Sequence, residues 1–159
     1  MLSSECSPHM KSLLGSDKIA VKDGYLMVIC CTLKDTNFLK RALMKNTTTV
    51  SFENPKEAIW FLAFSGKELV GCCCLVIKGN SKMGVTARAK SDVVDFTKRG
   101  KGYYGALSKA REDFMIGAQV KRVTCYSTLH SRKQFIKDGY RQVGKTKGKV
   151  VFMEKIYGD

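Results

Sequence analysis

Residues 93–107 read VVDFTKRGKGYYGAL, and the order of residue types within them decides the architecture of the chain. Val93, Val94 and Phe96 are the apolar end of a strand that stops at Thr97. Lys98, Arg99 and Lys101 then alternate with Gly100 and Gly102. From Tyr103 onward the apolar residues recur at helical spacing, through Leu107, Ala110, Phe114 and Ala118, and define one helix face. Cations and glycines therefore sit at a strand-to-helix junction. The first N–H groups of a helix have no intrahelical partner, and the dipole presents its positive end there. Glycine lets the backbone approach a ligand with no side chain in the way. The segment reads as an anion site, with phosphate the expected anion. A glycine-rich turn can equally be plain punctuation. Neither the G-x-x-x-x-G-K-[ST] nor the G-x-G-x-x-G frame is present.

Working outward, Tyr25–Thr32 is an apolar run after Asp23-Gly24 and reads as the first strand. Between Lys34 and Lys45, Phe38, Leu39, Ala42 and Leu43 have helical spacing, with Asp35 or Thr36 as the cap. Asn46–Pro55 reads as a loop ending in a short helix. Ala58–Ser65 and Leu69–Lys78 form a hairpin around the turn at 65–68, and Ala87–Phe96 is the fourth strand. The helix from Tyr103 to Gln119 leads into a fifth strand, Val120–Ser127. Ser131–Lys137 is a short helix closed by Asp138-Gly139, and Tyr140–Val143 and Val150–Ile156 are the last strands. This order predicts a three-layer α/β/α sandwich with a mixed, mostly antiparallel sheet of about six or seven strands. Residues 1–16 are expected to be a loose lead-in, and 17–159 a single domain.

The chain has 159 residues and carries a net charge of +14. Residues 1–77 contribute +2 of this and residues 78–159 contribute +12, so the cationic half holds the glycine turn. A small polyanion needs only a few of these cations. The surplus suggests nucleic acid or an acidic protein, against the plain reading of a lysine-rich soluble surface. Of seven cysteines, Cys72–Cys74 lie in an apolar run and read as small packing residues. No paired C-x-x-C spacing suggests a metal, so none is expected. An odd count in adjacent clusters is a poor disulfide framework, and a reducing, cytoplasmic setting is expected. No leader-like or membrane-spanning run is evident.

Arg99-Gly-Lys-Gly102-Tyr-Tyr104 resembles the R/Q-x-x-G-x-G/A pyrophosphate loop of the GNAT-type N-acetyltransferase superfamily. Ser131–Tyr140 (SRKQFIKDGY) resembles that superfamily's later helix, which typically ends in Y-x-K-x-G-F. Tyr104 stands where the second small residue is usual, and Phe135 where a tyrosine often acts as general acid. The resemblance implies acetyl-CoA as cofactor and transfer of the acetyl group to an amine by direct attack. It implies a sheet splayed between the fourth and fifth strands, with Val94, Asp95 and Phe96 beside the pantetheine arm. Arg99, Gly100, Lys101, Gly102, Tyr103, Tyr104 and Gly105 would hold the pyrophosphate.

Holding amine and thioester together supplies much of such an acceleration. A backbone N–H near Val94 would polarise the carbonyl, and an acid would protonate the leaving thiolate. The candidates for the acid–base work are Tyr126, Asp95 and Tyr104, with Asp92, Tyr103 and His130 behind them. Each has a bland alternative: Tyr126 as a strand aromatic, Asp95 as a partner of Arg99, His130 as a cap. The little-patterned stretch at 46–55 suits an acceptor-binding segment. The rival expectation is a binding module of the same fold without turnover, contacting nucleic acid or an acidic protein through its basic half. The residues identify neither the acceptor nor the oligomeric state.

Overall fold

The computed structural model describes residues 13–44, 52, 58–81, 84–128 and 131–158. Eight strands form one sheet: β1 Gly15–Val21, β2 Gly24–Cys31, β3 Ile59–Ser65, β4 Glu68–Ser81, β5 Gly84–Val94, β6 Val120–Thr128, β7 Arg141–Gln142 and β8 Val150–Ile156. Their spatial order is β1-β2-β3-β4-β5-β6-β8-β7. Every neighbouring pair is antiparallel except β5 and β6, which run parallel. A parallel pair needs a crossover. Here it is the helix that follows the glycine turn, α2 (Tyr103–Gly117). Among the described residues the other helices are α1 (Asn37–Leu43) and α3 (Arg132–Lys137).

The eighth strand is the one not expected. β1 lies at the sheet edge, pairing Gly15–Val21 with Gly24–Cys30 across the Lys22-Asp23 turn, and it starts inside the supposed lead-in. Most of its residues are exposed, with only Ile19 and Val21 partly buried. An edge strand of this kind has little apolar alternation to advertise it. The helix before the β3–β4 hairpin, α1, is shorter than its spacing suggests, and its start is fixed by Asp35, whose Oδ1 accepts from the Asn37 N–H at 3.1 Å. Most of the 46–55 stretch lies outside the described residues, as does His130.

The sheet separates two apolar layers. Leu26, Phe61, Cys73, Leu107, Phe114, Met115, Val123 and Met153 fill the α2 side; Leu39, Leu43, Trp60, Leu62, Cys72, Cys74 and Val93 fill the α1 side. The cysteine run of β4 thus divides between both layers, fully buried. Burial also raises the Cys72 and Cys73 thiols well above their usual range, so they stay protonated. Gly71 is where α2 comes closest to the sheet: a Cβ there would stand 3.0 Å from Leu107 Cδ1 and 3.1 Å from the Val93 carbonyl oxygen. Gly71→Ala is therefore expected to destabilise the fold by about 1–3 kcal/mol through overpacking. A thermal melt checks this. No helix among the described residues is long and apolar enough to cross a membrane.

Candidate functional site

β5 and β6 pair from Val85–Val120 to Ala89–Cys125, with a register shift between Val85 and Thr86, and share no pair beyond it. The cause is local to β5. Opposite β4, Cys72 pairs with Val93 and Cys74 with Lys90, so β5 carries one residue more than its partner over this interval. Ser91 absorbs it at φ 57°, a left-handed conformation rare for a non-glycine residue. Such a bulge bends its strand. The last residues of β5 and those of β6 past Cys125 therefore form the two walls of an opening between parallel strands.

A buried polar cluster braces the bulge. Arg111, on the sheet-facing side of α2 and 1% exposed, donates to both carboxylate oxygens of Asp92, at 2.7 and 2.9 Å. It also donates to the Cys74 carbonyl at 3.2 Å. Tyr104 donates its hydroxyl to Asp92 Oδ2 at 2.5 Å. The Arg111 guanidinium lies 5.6 Å from the centre of the Phe135 ring, which is edge-on to Tyr104 and Tyr140. Burial works against the Arg111 charge, but the Asp92 carboxylate outweighs it and keeps the guanidinium protonated. Burial, reinforced by Asp92, lifts the Tyr104 phenol well above its ordinary value. Burial alone accounts for most of the rise at Cys125, whose thiol is pushed up to about 12, which suits packing rather than nucleophilic attack.

The glycine turn follows directly. β5 ends at Val94, not at Phe96 as the apolar run suggests. Asp95 then caps a 3-10 turn over Phe96–Lys98, accepting from the Thr97 N–H at 3.1 Å and hydroxyl at 3.0 Å. Its carboxylate is thus engaged with Thr97 rather than Arg99. Phe96 is exposed, with the Arg99 guanidinium 5.1 Å from its ring centre. Lys98 reaches Glu68 at 3.6 Å. Gly100 and Gly102 both adopt positive φ, 82° and 84°, which is the reason glycine is needed at these positions. Gly102 is the N-cap of α2 and offers no side chain to its first turn, which also contains no acidic residue. The first bond in the helix is from the Ala106 N–H to the Gly102 carbonyl at 3.1 Å, leaving the N–H groups of 103–105 without helical acceptors. A Cβ on Gly100 would meet nothing within 4 Å among the described residues, so the turn is open at that position.

Of the residues singled out from sequence, Val94 ends β5, Asp95 caps the turn that follows, and Arg99–Gly102 make the glycine turn ahead of α2. Tyr103 is buried in the α2-side core, and Tyr104 turns inward beneath the helix rather than across the turn. Tyr126 lies one residue past the last β5–β6 pair. Its neighbour Cys125 faces the α2 side, so Tyr126 faces the other, 62% exposed and 4.9 Å from the Phe152 ring. Tyr104 and Tyr126 therefore stand on opposite faces of the sheet. Sequence reasoning missed Arg111. An arginine four residues after Leu107 and three before Phe114, inside the apolar stripe, was the available signal.

No family model matches the chain, and no curated protein matches it by sequence. Solved structures do match. The GNAT domain of PAT from S. lividans superposes with a TM-score of 0.66 at 15% identity, over 96% of this chain and all of that domain. Arabidopsis thaliana Naa50, in complex with the bisubstrate analogue CoA-Ac-MVNAL, gives 0.65 at 14% identity, over 82% of this chain and 99% of that one. An acetyltransferase of the GNAT family from Streptococcus pneumoniae gives 0.62 at 14% identity, over 83% and 99%. The protein has the GNAT fold. At these identities the likeness is one of architecture, and the chemistry has to be argued from the residues.

Proposed function

We propose that the protein is an acetyl-CoA-dependent N-acetyltransferase acting on an amine by direct attack within a ternary complex. The observation that carries this reading is the junction itself. An open turn with two glycines at positive φ starts a helix beside parallel strands that part at Ala89–Cys125. A diphosphate fits this cradle because the turn presents N–H donors, and Arg99 and Lys101 add positive charge. The pantetheine arm would follow the end of β5 at Val93–Val94, and the amine would enter from the opposite face. Acetyl-CoA supplies an activated acyl group as a thioester. The complexes of Naa50 with a CoA-containing analogue and of a Thermoplasma acidophilum N-acetyltransferase with coenzyme A support the cofactor assignment for this fold.

Within this scheme the chain's own groups divide the work. Main-chain N–H groups at the end of β5 polarise the acyl oxygen. Tyr126, exposed on the wall of the opening, donates a proton to the departing thiolate, the part that Phe135 has no hydroxyl to play, and the proton released by the attacking amine restores the phenol through solvent. Tyr104 and Asp95 act as positioning residues: the first steadies Asp92 at the bulge, the second shapes the turn. Release of free thiol from acetyl-CoA in the presence of a panel of amines tests the activity. Tyr126→Phe is expected to lower kcat by about a hundredfold with CoA affinity unchanged. Absence of thiol release with every amine, alongside intact CoA binding, would instead favour a binding module without turnover.

A further inference from the structure

The α1 face of the sheet continues past α1, across β5, β6, β8 and β7. Val76 and Cys74 of the α1-side core pair with Arg88 and Lys90, which places both cations on this face. Register then sets Thr124 beside Arg88, Tyr126 beside Phe152, and Arg122 beside Ile156. Tyr126 and Ile156 are 62% and 59% exposed, so these large side chains face solvent. The Arg88 guanidinium lies 5.8 Å from the centre of the Tyr126 ring, and its Nε is buried with no hydrogen-bond partner among the described residues. Arg122 and Arg141 share the one carboxylate of Glu154, at 2.9 and 2.8 Å.

The hairpin joining β7 to β8 extends this surface. Thr128, the last residue of β6, pairs with Val150, so the hairpin stands at the open end of the β5–β6 splay. It carries Lys145, Lys147 and Lys149, all exposed and making no ion pair among the described residues. Glu154, the acid on this face, is already held by Arg122 and Arg141, and Asp92, Glu112 and Asp113 on the α2 side are paired with Arg111, Lys155 and Lys109. The +12 of residues 78–159 therefore stays largely uncompensated on the surface.

We propose that this face binds single-stranded nucleic acid, with phosphates along the 145–149 hairpin and Arg88, and a base stacked on Tyr126. Charge alone would accept any polyanion. The exposed ring, bracketed by a guanidinium and a second aromatic, distinguishes among them, because a nucleobase has a flat face to stack and an acidic side chain has none. Duplex DNA keeps its bases stacked inward and gains only the phosphate contacts. This inference goes beyond acetyl transfer and is tested without CoA, so either reading can fail alone.

The test is fluorescence anisotropy of the full chain with a labelled oligothymidylate over a range of salt concentrations. Binding is expected to weaken steeply with salt, and the Lys145→Gln/Lys147→Gln/Lys149→Gln variant to make the log–log slope shallower by about 2. Tyr126→Ala is expected to weaken binding about tenfold at fixed salt with the slope unchanged. Tyr126→Phe keeps the ring and should bind like the parent. Lys133→Gln, on α3 at the other side of the sheet, should do the same. Circular dichroism and thermal melts establish that each variant is folded. Failure to bind, equal affinity for duplex DNA, or displacement by polyglutamate with Tyr126→Ala unaffected would each overturn the proposal.

Discussion

Arg111→Ala is expected to cost about 3–5 kcal/mol of stability, the range for breaking a buried ion pair by removing one partner. For a domain of this size that is a fall of about 10 °C in Tm, and it removes a large share of the stability such domains have. The size of the effect follows from the geometry. Arg111 is 1% exposed, holds both oxygens of Asp92, and satisfies the Cys74 carbonyl. Without it, the Asp92 carboxylate keeps only the Tyr104 hydroxyl as a donor among the described residues, and the Cys74 carbonyl loses its arginine. Replacing both charges by neutral groups of similar shape, Arg111→Met with Asp92→Asn, should recover most of the loss, since the pair repays little more than its own desolvation. A double variant no more stable than Arg111→Ala would show that the charges themselves hold the bulge. Differential scanning calorimetry on the single and double variants separates the two.

Gly102→Glu is the second large effect, on binding rather than on stability. A carboxylate placed against a diphosphate costs several kcal/mol, so CoA affinity should fall by about a hundredfold or more. The φ of 84° also disfavours most side chains. Gly102→Asn separates the two causes, because asparagine tolerates the left-handed region and adds no charge. It should bind CoA nearly as the parent does. Isothermal titration reads all three proteins. Equal affinity in Gly102→Glu would remove the turn from the cofactor site.

The junction at 93–107 was legible because glycine, cation and apolar spacing each have a direct structural cause, and the two glycines do adopt positive φ. The hairpin of β3 and β4 and the order of the later elements were legible for the same reason. Three features were not. β1 is an edge strand whose polar residues look like a lead-in. Phe96 continues an apolar run in sequence, yet the chain leaves the sheet at Asp95, whose carboxylate is drawn to Thr97. The bulge at Ser91 has no signature in residue type; it is imposed by pairing with β4 and by Arg111 from a helix twenty residues on. The walls of the opening therefore depend on tertiary contacts that no local pattern records, while the glycine turn proposed to hold the phosphates is written in adjacent residues.

Hydrogen exchange with and without CoA tests the central claim most directly. If the amides opening α2 hold the diphosphate, exchange should slow at residues 100–105 and at the end of β5 at 93–94, with little change at β1 or β8. Protection elsewhere with none at 100–105, or no protection at saturating CoA, would contradict it.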